Sequence, residues 1–138
     1  MSTDELRDTI VLAEDSSPNR KILAHLLVKM GFEVAAYDNG QDAWNALHEG
    51  KHERVVLVIS DIMMPTMDGI QLLSNVRKDE RFAKLPFVLV TAVSEKEYIM
   101  QSKELGANGY ILKPVTFKRV TEKLQEIFPQ RTFPKIAG

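Results

Sequence analysis

The sequence predicts an α/β fold, a doubly wound (βα)5 arrangement in which a five-stranded parallel sheet carries helices on both faces. Strand and helix patterns alternate five times along the 138 residues, and such alternation joins parallel strands through crossover helices. Residues 55–59 form a wholly apolar run that stops at Ser60 and Asp61, as expected of a strand covered on both faces. A chain of this length forms one domain with a buried core.

Each element has local support in the sequence. The first helix carries apolar residues at helical spacing, with Ser17 as its predicted N-cap and Pro18 at its first position, and Gly31 ends it. A polar, proline-containing segment after Pro129 is expected to be a loose tail. The predicted strands are 9–13, 32–37, 55–60, 86–91 and 110–112, the predicted helices are 18–30, 41–49, 70–78, 95–105 and 117–128, and these elements form one domain over residues 9–128 between an N-terminal lead of residues 1–8 and a C-terminal tail of residues 129–138.

Composition excludes several classes of protein. The formal net charge of −1 gives no reason to expect a nucleic-acid or anionic-membrane partner. The absence of cysteine excludes disulfides, thiolate metal sites and cysteine nucleophiles. No apolar stretch approaches the length of a membrane span, and the acidic N-terminus is unlike a signal peptide. We therefore predict a cytoplasmic protein without a membrane partner.

Polar side chains follow four of the predicted strands. Glu14 and Asp15 end the first strand, Asp61 the third and Thr91 the fourth, and Lys113 follows the fifth. Because the carboxyl ends of parallel strands meet at one edge of a sheet, we expect these groups to form one cluster. Clustered carboxylates favour a hard cation, and Mg²⁺ suits oxygen ligands in a site of this size. A hydroxyl and an ammonium beside the cation suit the oxygens of a phosphoryl group.

These residues also resemble a known family, the receiver domains of two-component response regulators, and especially the single-domain chemotaxis type (CheY-like). The resemblance extends from about Thr9 to Phe128 and implies a flavodoxin-like sheet with strand order 2-1-3-4-5. The motifs that carry it are Glu14-Asp15, Asp61 in Asp-Ile-Met-Met-Pro-Thr-Met-Asp-Gly, Thr91-Ala92 and Gly109-Tyr110-Ile111-Leu112-Lys113-Pro114.

The resemblance implies a role for each polar residue of the cluster. Asp61 is implied to be the phosphoacceptor, a nucleophile that takes a phosphoryl group from a kinase phosphohistidine. The implied Mg²⁺ ligands are the carboxylates of Asp15 and Asp61 and the backbone carbonyl of Met63, with Glu14 helping through water. Lys113 is implied to hold one phosphoryl oxygen. The chain is thus expected to catalyse its own phosphorylation and dephosphorylation without turning over external substrates.

A switch is implied as well. Thr91 is expected to bond a phosphoryl oxygen after phosphorylation, and Tyr110, outward beforehand, is expected to turn inward as Thr91 moves. Small Ala92 leaves room for the phosphoryl group, and the Lys113-Pro114 peptide is expected to be cis. The resemblance also implies that Met63 and Val93 flank the phosphoryl group, and neither side chain can orient or deprotonate an attacking water.

The implied partners are a sensor histidine kinase or histidine phosphotransfer domain and a downstream protein, which in the chemotaxis branch is a flagellar-motor switch component. The protein is expected to be a monomer. A phosphorelay intermediate, or a receiver fragment of a larger regulator, remains the alternative. Ile99 is expected to provide an outward apolar docking contact. The predicted partner surface lies on the fourth helix, fifth strand and fifth helix and comprises Lys96, Ile99, Lys103, Tyr110 and Lys123.

Two other functions compare less well with the residues. A metal-dependent phosphohydrolase with an Asp nucleophile would need a second Asp two residues later as acid and base, where this chain has Met63. An FMN carrier would need a loop rich in glycine and hydroxyl groups after the first strand, where Glu14 and Asp15 would repel phosphate. The sequence therefore favours the phosphorylation-dependent switch.

Overall fold

The computed structural model describes residues 8–133. It confirms the predicted architecture, a single parallel sheet in the order β2-β1-β3-β4-β5. No helix within the described residues is long and apolar enough to cross a membrane. The strands are β1 (Thr9–Ala13), β2 (Glu33–Tyr37), β3 (Val55–Ser60), β4 (Phe87–Thr91) and β5 (Gly109–Leu112), and the helices are α1 (Ser17–Lys29), α2 (Gly40–His48), α3 (Gly69–Lys78), α4 (Lys96–Glu104) and α5 (Phe117–Ile127), with a short 3-10 helix at Glu80–Phe82.

The core has two layers, one on each face of the sheet. Successive side chains of a strand point to opposite faces, so Ile10 packs in the layer under α1 and α5, whereas Val11 packs in the layer under α2 and α3. The same alternation separates Val88 from Phe87 on β4. Every residue of β1 and β4 is buried. The central strands are therefore held from both sides, and their carboxyl ends are fixed relative to one another.

The N-cap of α1 is Ser16, so the prediction of Ser17 was wrong by one residue. The Ser16 side chain accepts a hydrogen bond from the backbone N–H of Asn19, and Ser17 is already helical, which moves Pro18 to the second helical position. The Ser16 N–H in turn donates to Glu14 Oε2 at 3.1 Å. Two adjacent serines offer the same capping chemistry, but only Ser16 also reaches the acidic side chain that precedes the helix.

The C-terminal tail is packed as far as Phe133, contrary to the expectation of a loose end. Phe133 is buried in the layer under α1 and α5, with its ring centroid 6.1 Å from that of Phe32. The Arg131 guanidinium lies 4.1 Å from the Phe32 ring centroid and forms an ion pair with Asp8. An aromatic and a cation–π contact thus anchor a tail whose composition is polar. The lead of residues 1–7 and residues 134–138 lie outside the described part of the chain.

Candidate functional site

The carboxyl ends of four strands converge at one edge of the sheet. The Asp61 N–H donates to the Ala13 carbonyl at 2.9 Å, and the Lys113 N–H donates to the Thr91 carbonyl at the same distance. These bonds extend the ladders of β1 with β3 and of β4 with β5 by one residue. Glu14, which follows Ala13 directly, is therefore placed beside Asp61, and Lys113 is placed beside the end of β4.

An ammonium bridges two buried carboxylates at the centre of this edge. Lys113 Nζ lies 2.6 Å from Glu14 Oε1 and 2.6 Å from Asp61 Oδ2. The side chains of Glu14, Asp61 and Lys113 are 1%, 9% and 17% exposed. Charged hydrogen bonds of this length are strong where water is excluded, so the three side chains form one rigid unit. The Lys113-Pro114 peptide is cis.

Burial and charge pairing have opposite effects on the pKa values of Glu14 and Lys113. Burial raises the pKa of Glu14, and the hydrogen bond from Lys113 offsets this only in part. Burial lowers the pKa of Lys113, but its bonds to Asp61 and Glu14 outweigh burial and leave the pKa raised. The ammonium thus keeps its charge because it has two carboxylate partners, whereas Glu14 shares that ammonium with Asp61 and holds a proton more readily than a free acid.

The Asp61 carboxylate is also held by the backbone that follows it. Asp61 Oδ1 accepts a hydrogen bond from the Ile62 N–H at 2.6 Å and a longer one from the Met63 N–H at 3.4 Å. The start of α3 closes over this turn, because a Cβ at Gly69 would lie 2.1 Å from the Asp61 carbonyl oxygen. Only glycine permits so close an approach. One oxygen of Asp61 thus faces backbone donors, and the other faces Lys113.

Three carboxylates at this edge can serve together as metal ligands. Glu14, Asp15 and Asp61 each offer one oxygen, and these oxygens all lie within 4.8 Å of one another. Asp15 is exposed, whereas Glu14 and Asp61 are buried, so the cluster opens to solvent on one side. Hard oxygen donors with an open side fit Mg²⁺, which keeps several of its waters. The Met63 side chain is exposed, and a metal role for its backbone carbonyl stays a prediction.

Val93 connects Thr91 with Tyr110. The buried Thr91 Oγ1 accepts a hydrogen bond from the Val93 N–H at 3.3 Å. The Tyr110 hydroxyl donates to the Val93 carbonyl at 2.6 Å, and burial followed by the charges of Glu95 and Asp61 raises the pKa of Tyr110. The hydroxyl therefore keeps the proton that it donates.

The expected outward rotamer of Tyr110 was wrong. Its side chain is half-buried and packs against the layer under α2 and α3. The physical reason is the Val93 carbonyl, which accepts a hydrogen bond from the Tyr110 hydroxyl without any phosphoryl group.

The predicted partner surface is exposed in part. Lys96 and Lys103 are exposed on α4, but Ile99 is half-buried, so the expectation of an outward apolar contact there was wrong. The exposed apolar side chains of this region are instead Met100 on α4 and Leu112 on β5. The exposed apolar residue of α4 therefore follows the predicted Ile99 by one position.

Lys123 lies flat across β5 rather than extending outward from α5. A Cβ at Gly109 would lie 2.9 Å from Lys123 Cδ and from Cε, and the ammonium pairs with Glu126 at 2.6 Å. The lysine stem thus covers the strand where glycine leaves room for it. Tyr110, the next residue of β5, is half-buried, so only part of its side chain contributes to this surface.

Sequence reasoning missed two residues that hold the acidic cluster in place. Arg20 Nη1 donates to the carbonyl oxygen of Glu14 at 3.0 Å, and Gly69 makes the close approach to Asp61 described above. The Asp68-Gly69 pair at the start of α3 was a sequence signal that could have identified Gly69. Nothing in the sequence alone distinguishes Arg20 from the neighbouring Lys21, since both are basic residues early in α1.

Comparisons with known proteins agree with this geometry. The model of the response regulator receiver domain matches residues 10–125. The chemotaxis protein CheY of Pseudomonas aeruginosa is 38% identical over 120 residues, which cover 86% of this chain and 94% of that protein. Chemotaxis protein CheY-3 of Vibrio cholerae is also 38% identical over 120 residues, covering 86% of this chain and 90% of the relative.

Solved structures show the same likeness. CheY4 of Vibrio cholerae superposes with a TM-score of 0.78 at 26% identity, covering 88% of this chain and 98% of that one. A response regulator receiver protein from Pseudomonas putida gives a TM-score of 0.79 at 27% identity, covering 87% and 97% of the two chains. Together with the family match over residues 10–125, these similarities establish that the chain belongs to the response regulator receiver domains, with chemotaxis proteins of the CheY type among its relatives.

Proposed function

We propose that this receiver accepts a phosphoryl group on Asp61 from the phosphohistidine of a histidine kinase or a histidine phosphotransfer domain, in a Mg²⁺-dependent reaction. The observation that carries the proposal is the position of the Asp61 carboxylate, 2.6 Å from the Lys113 ammonium and within 4.8 Å of the Glu14 and Asp15 oxygens. A nucleophile between a fixed cation and an acidic pair suits transfer of an anionic group.

In the proposed reaction the Asp61 carboxylate attacks phosphorus, a P–O bond forms and the P–N bond to the donor imidazole breaks. The imidazole leaves with the bonding electron pair and takes up a proton. The Ile62 N–H, bonded to Asp61 Oδ1, keeps the carboxylate oriented during the attack. Lys113 needs little movement to exchange its bond with Asp61 for one to a phosphoryl oxygen, since its ammonium already lies beside that carboxylate.

Asp15, Asp61 and Glu14 are the side chains that would hold the cation. When bound, Mg²⁺ supplies positive charge that offsets the charge of the transferring phosphoryl group. The charge balance supports this assignment, because one Lys113 ammonium is shared between Glu14 and Asp61 while the cluster holds three carboxylates.

The first prediction concerns this cation. Asp15→Asn should weaken Mg²⁺ binding by roughly tenfold or more, because ligand charge sets the affinity of hard-cation sites. Titration of the folded protein with Mg²⁺, followed by the backbone amide signals of residues 14–16 and 61–63, measures this directly. Glu53→Gln, which removes one exposed acid elsewhere, should leave the affinity unchanged. Unaltered Mg²⁺ binding in Asp15→Asn would exclude the proposed ligand set.

We further propose that the output is a change of the α4–β5–α5 surface, made up of Lys96, Ile99, Lys103, Tyr110 and Lys123, together with Met100 and Leu112. Val93 supports this route, because its N–H bonds Thr91 and its carbonyl bonds Tyr110. If Thr91 turns towards a phosphoryl oxygen, it releases the Val93 N–H, and the loop before α4 must adjust around Tyr110. The names of the chemotaxis relatives favour a motility partner, such as a flagellar-motor switch component, over a phosphorelay role.

The second prediction tests this route. Beryllofluoride, which mimics the phosphoryl group on Asp61, should shift the methyl signal of Met100 and the amide signal of Leu112 in the parent protein. In Thr91→Ala the signals around Asp61 should still shift, while those of Met100 and Leu112 should stay near their unmodified positions. Thr132→Ala, an exposed threonine of the tail, should behave like the parent. Equal shifts at Met100 in the parent and in Thr91→Ala would show that Thr91 does not transmit the change.

A further inference from the structure

Arg20 contacts the backbone of the acidic pair from the first turn of α1. Its Nη1 donates to the carbonyl oxygen of Glu14 at 3.0 Å and approaches that of Asp15 at 3.5 Å. Its own backbone N–H bonds the Ser16 carbonyl at 2.8 Å, so the side chain returns along the loop that joins β1 to α1. One guanidinium thus spans the two peptides that carry the acidic side chains.

The two acids of this pair are held very differently. Glu14 has its own anchors, since Oε1 accepts from Lys113 and Oε2 accepts from the Ser16 N–H. Within residues 8–133, no side-chain hydrogen bond fixes the carboxylate of Asp15, which is exposed. The direction of Asp15 is therefore set by its backbone, and Arg20 is the side chain that bonds this backbone.

The charges around Arg20 also indicate that it acts on the backbone of the acidic pair. Glu14, Asp15 and Asp61 repel one another at this edge, and the ammonium of Lys113 is already shared between two of them. Arg20 makes no ion pair with a carboxylate among the described residues, so its charge acts on the loop through the two carbonyls. A guanidinium offers several donors in a fixed plane and can bond two carbonyls at once, which an ammonium does less well.

We propose that Arg20 is a positioning residue for the metal site: it holds the Glu14 and Asp15 peptides so that the Asp15 carboxylate stays beside Asp61. This inference rests on the proposed function, because it assigns Arg20 to the same acidic cluster. Arg20 acts through the backbone of the pair, and its loss should change the metal requirement of the reaction more than the reaction itself.

The test compares two charge-removing variants of adjacent residues. Arg20→Met keeps a long stem but removes all donors, whereas Lys21→Met removes the same charge from an exposed side chain with no bond to the pair. Mg²⁺ titration followed by the amide signals of residues 14–16 should show about tenfold weaker binding in Arg20→Met, the range found when groups that orient metal ligands are lost. Lys21→Met should change the affinity less than about twofold, as expected of an exposed charge screened by salt.

Labelling with acetyl phosphate gives a second readout. The Mg²⁺ concentration for half-maximal rate should rise in Arg20→Met in proportion to the loss of affinity, whereas the rate at saturating Mg²⁺ should return to within about threefold of the parent. Arg20→Lys retains the charge and should show an intermediate affinity, since one ammonium replaces the planar fork. If Arg20→Met does not fold, Arg20→Lys alone decides: weaker Mg²⁺ binding supports the proposal and parent-like binding overturns it.

Equal losses of affinity in Arg20→Met and Lys21→Met, or no loss in the first, would overturn the proposal, because charge alone or nothing would then be responsible. These outcomes are separate from the fate of the proposed function. A parent protein that takes no label on Asp61 refutes phosphoryl acceptance, whereas the Mg²⁺ titration still decides whether Arg20 orients the acidic pair.

Discussion

Asp61→Asn should take up no phosphoryl group from acetyl phosphate and Mg²⁺, whereas the parent should gain a single adduct. An amide cannot replace the carboxylate as nucleophile, and we expect less than about 1% of the parental adduct. The substitution keeps the contact with the backbone, since the Asn side-chain oxygen can still accept the hydrogen bond that the Ile62 N–H gives to Asp61 Oδ1, but it removes the oxygen that faces Lys113. Intact-protein mass spectrometry over a time course measures the adduct.

Asp38→Asn is the matched control for this experiment. Asp38 is exposed, and among residues 8–133 its side chain bonds only that of the neighbouring Asn39, so its variant should label like the parent. An adduct of parental size in Asp61→Asn would place the nucleophile on another residue. The acidic neighbours Glu14 and Asp15 would then be the first residues to examine.

Lys113→Met should lower the free energy of unfolding by about 2–4 kcal/mol at pH 7 without Mg²⁺. The substitution leaves the Glu14 and Asp61 carboxylates buried without their ammonium, and removing one partner of a buried ion pair is costly for this reason. Lys118→Met, an exposed lysine of α5, should stay within about 0.5 kcal/mol of the parent. Urea denaturation in the presence of a chelator gives the three values.

The difference in free energy of unfolding between the parent and Lys113→Met should shrink as the pH falls. Burial raises the pKa of Glu14 above its ordinary value of 4.5, so the folded state binds this proton more readily than the unfolded chain. Binding of this proton contributes its full stabilisation of the folded state below pH 4.5, and the contribution is lost as the pH rises through the raised pKa. Loss of the Lys113 hydrogen bond raises the pKa further and extends this window upward. A deficit that is equal at pH 4.5 and pH 7 would contradict this account.

The strands and the acidic edge could be predicted because they depend on local patterns. The apolar run of residues 55–59 requires a strand buried on both faces, and the rule for parallel strands then places Asp61 near Glu14. The structure brings both within reach of Lys113, as the order of the strands requires. Geometry of this kind follows from topology, so a sequence pattern is sufficient.

The features that sequence reasoning missed depend on single contacts between distant residues. Phe133 is buried because Phe32 offers it a surface across the fold, and no periodicity reveals this. Tyr110 lies inward because the Val93 carbonyl accepts its hydroxyl. Ile99 and Met100 lie about 100° apart around α4, but this helix buries only Ser102 and so has no apolar stripe from which spacing could tell its inner side from its outer side.

The central claim is that Asp61 carries the phosphoryl group, and mapping the modified residue tests it most directly. Borohydride reduces an aspartyl phosphate to homoserine, and trypsin then separates the peptide of residues 55–77, which contains Asp61, from that of residues 8–20, which contains Glu14 and Asp15. After acetyl phosphate and Mg²⁺, we predict homoserine at position 61 and unmodified residues 8–20, with no homoserine when a chelator replaces Mg²⁺. A reduced side chain in residues 8–20, or equal modification with the chelator, would contradict the account.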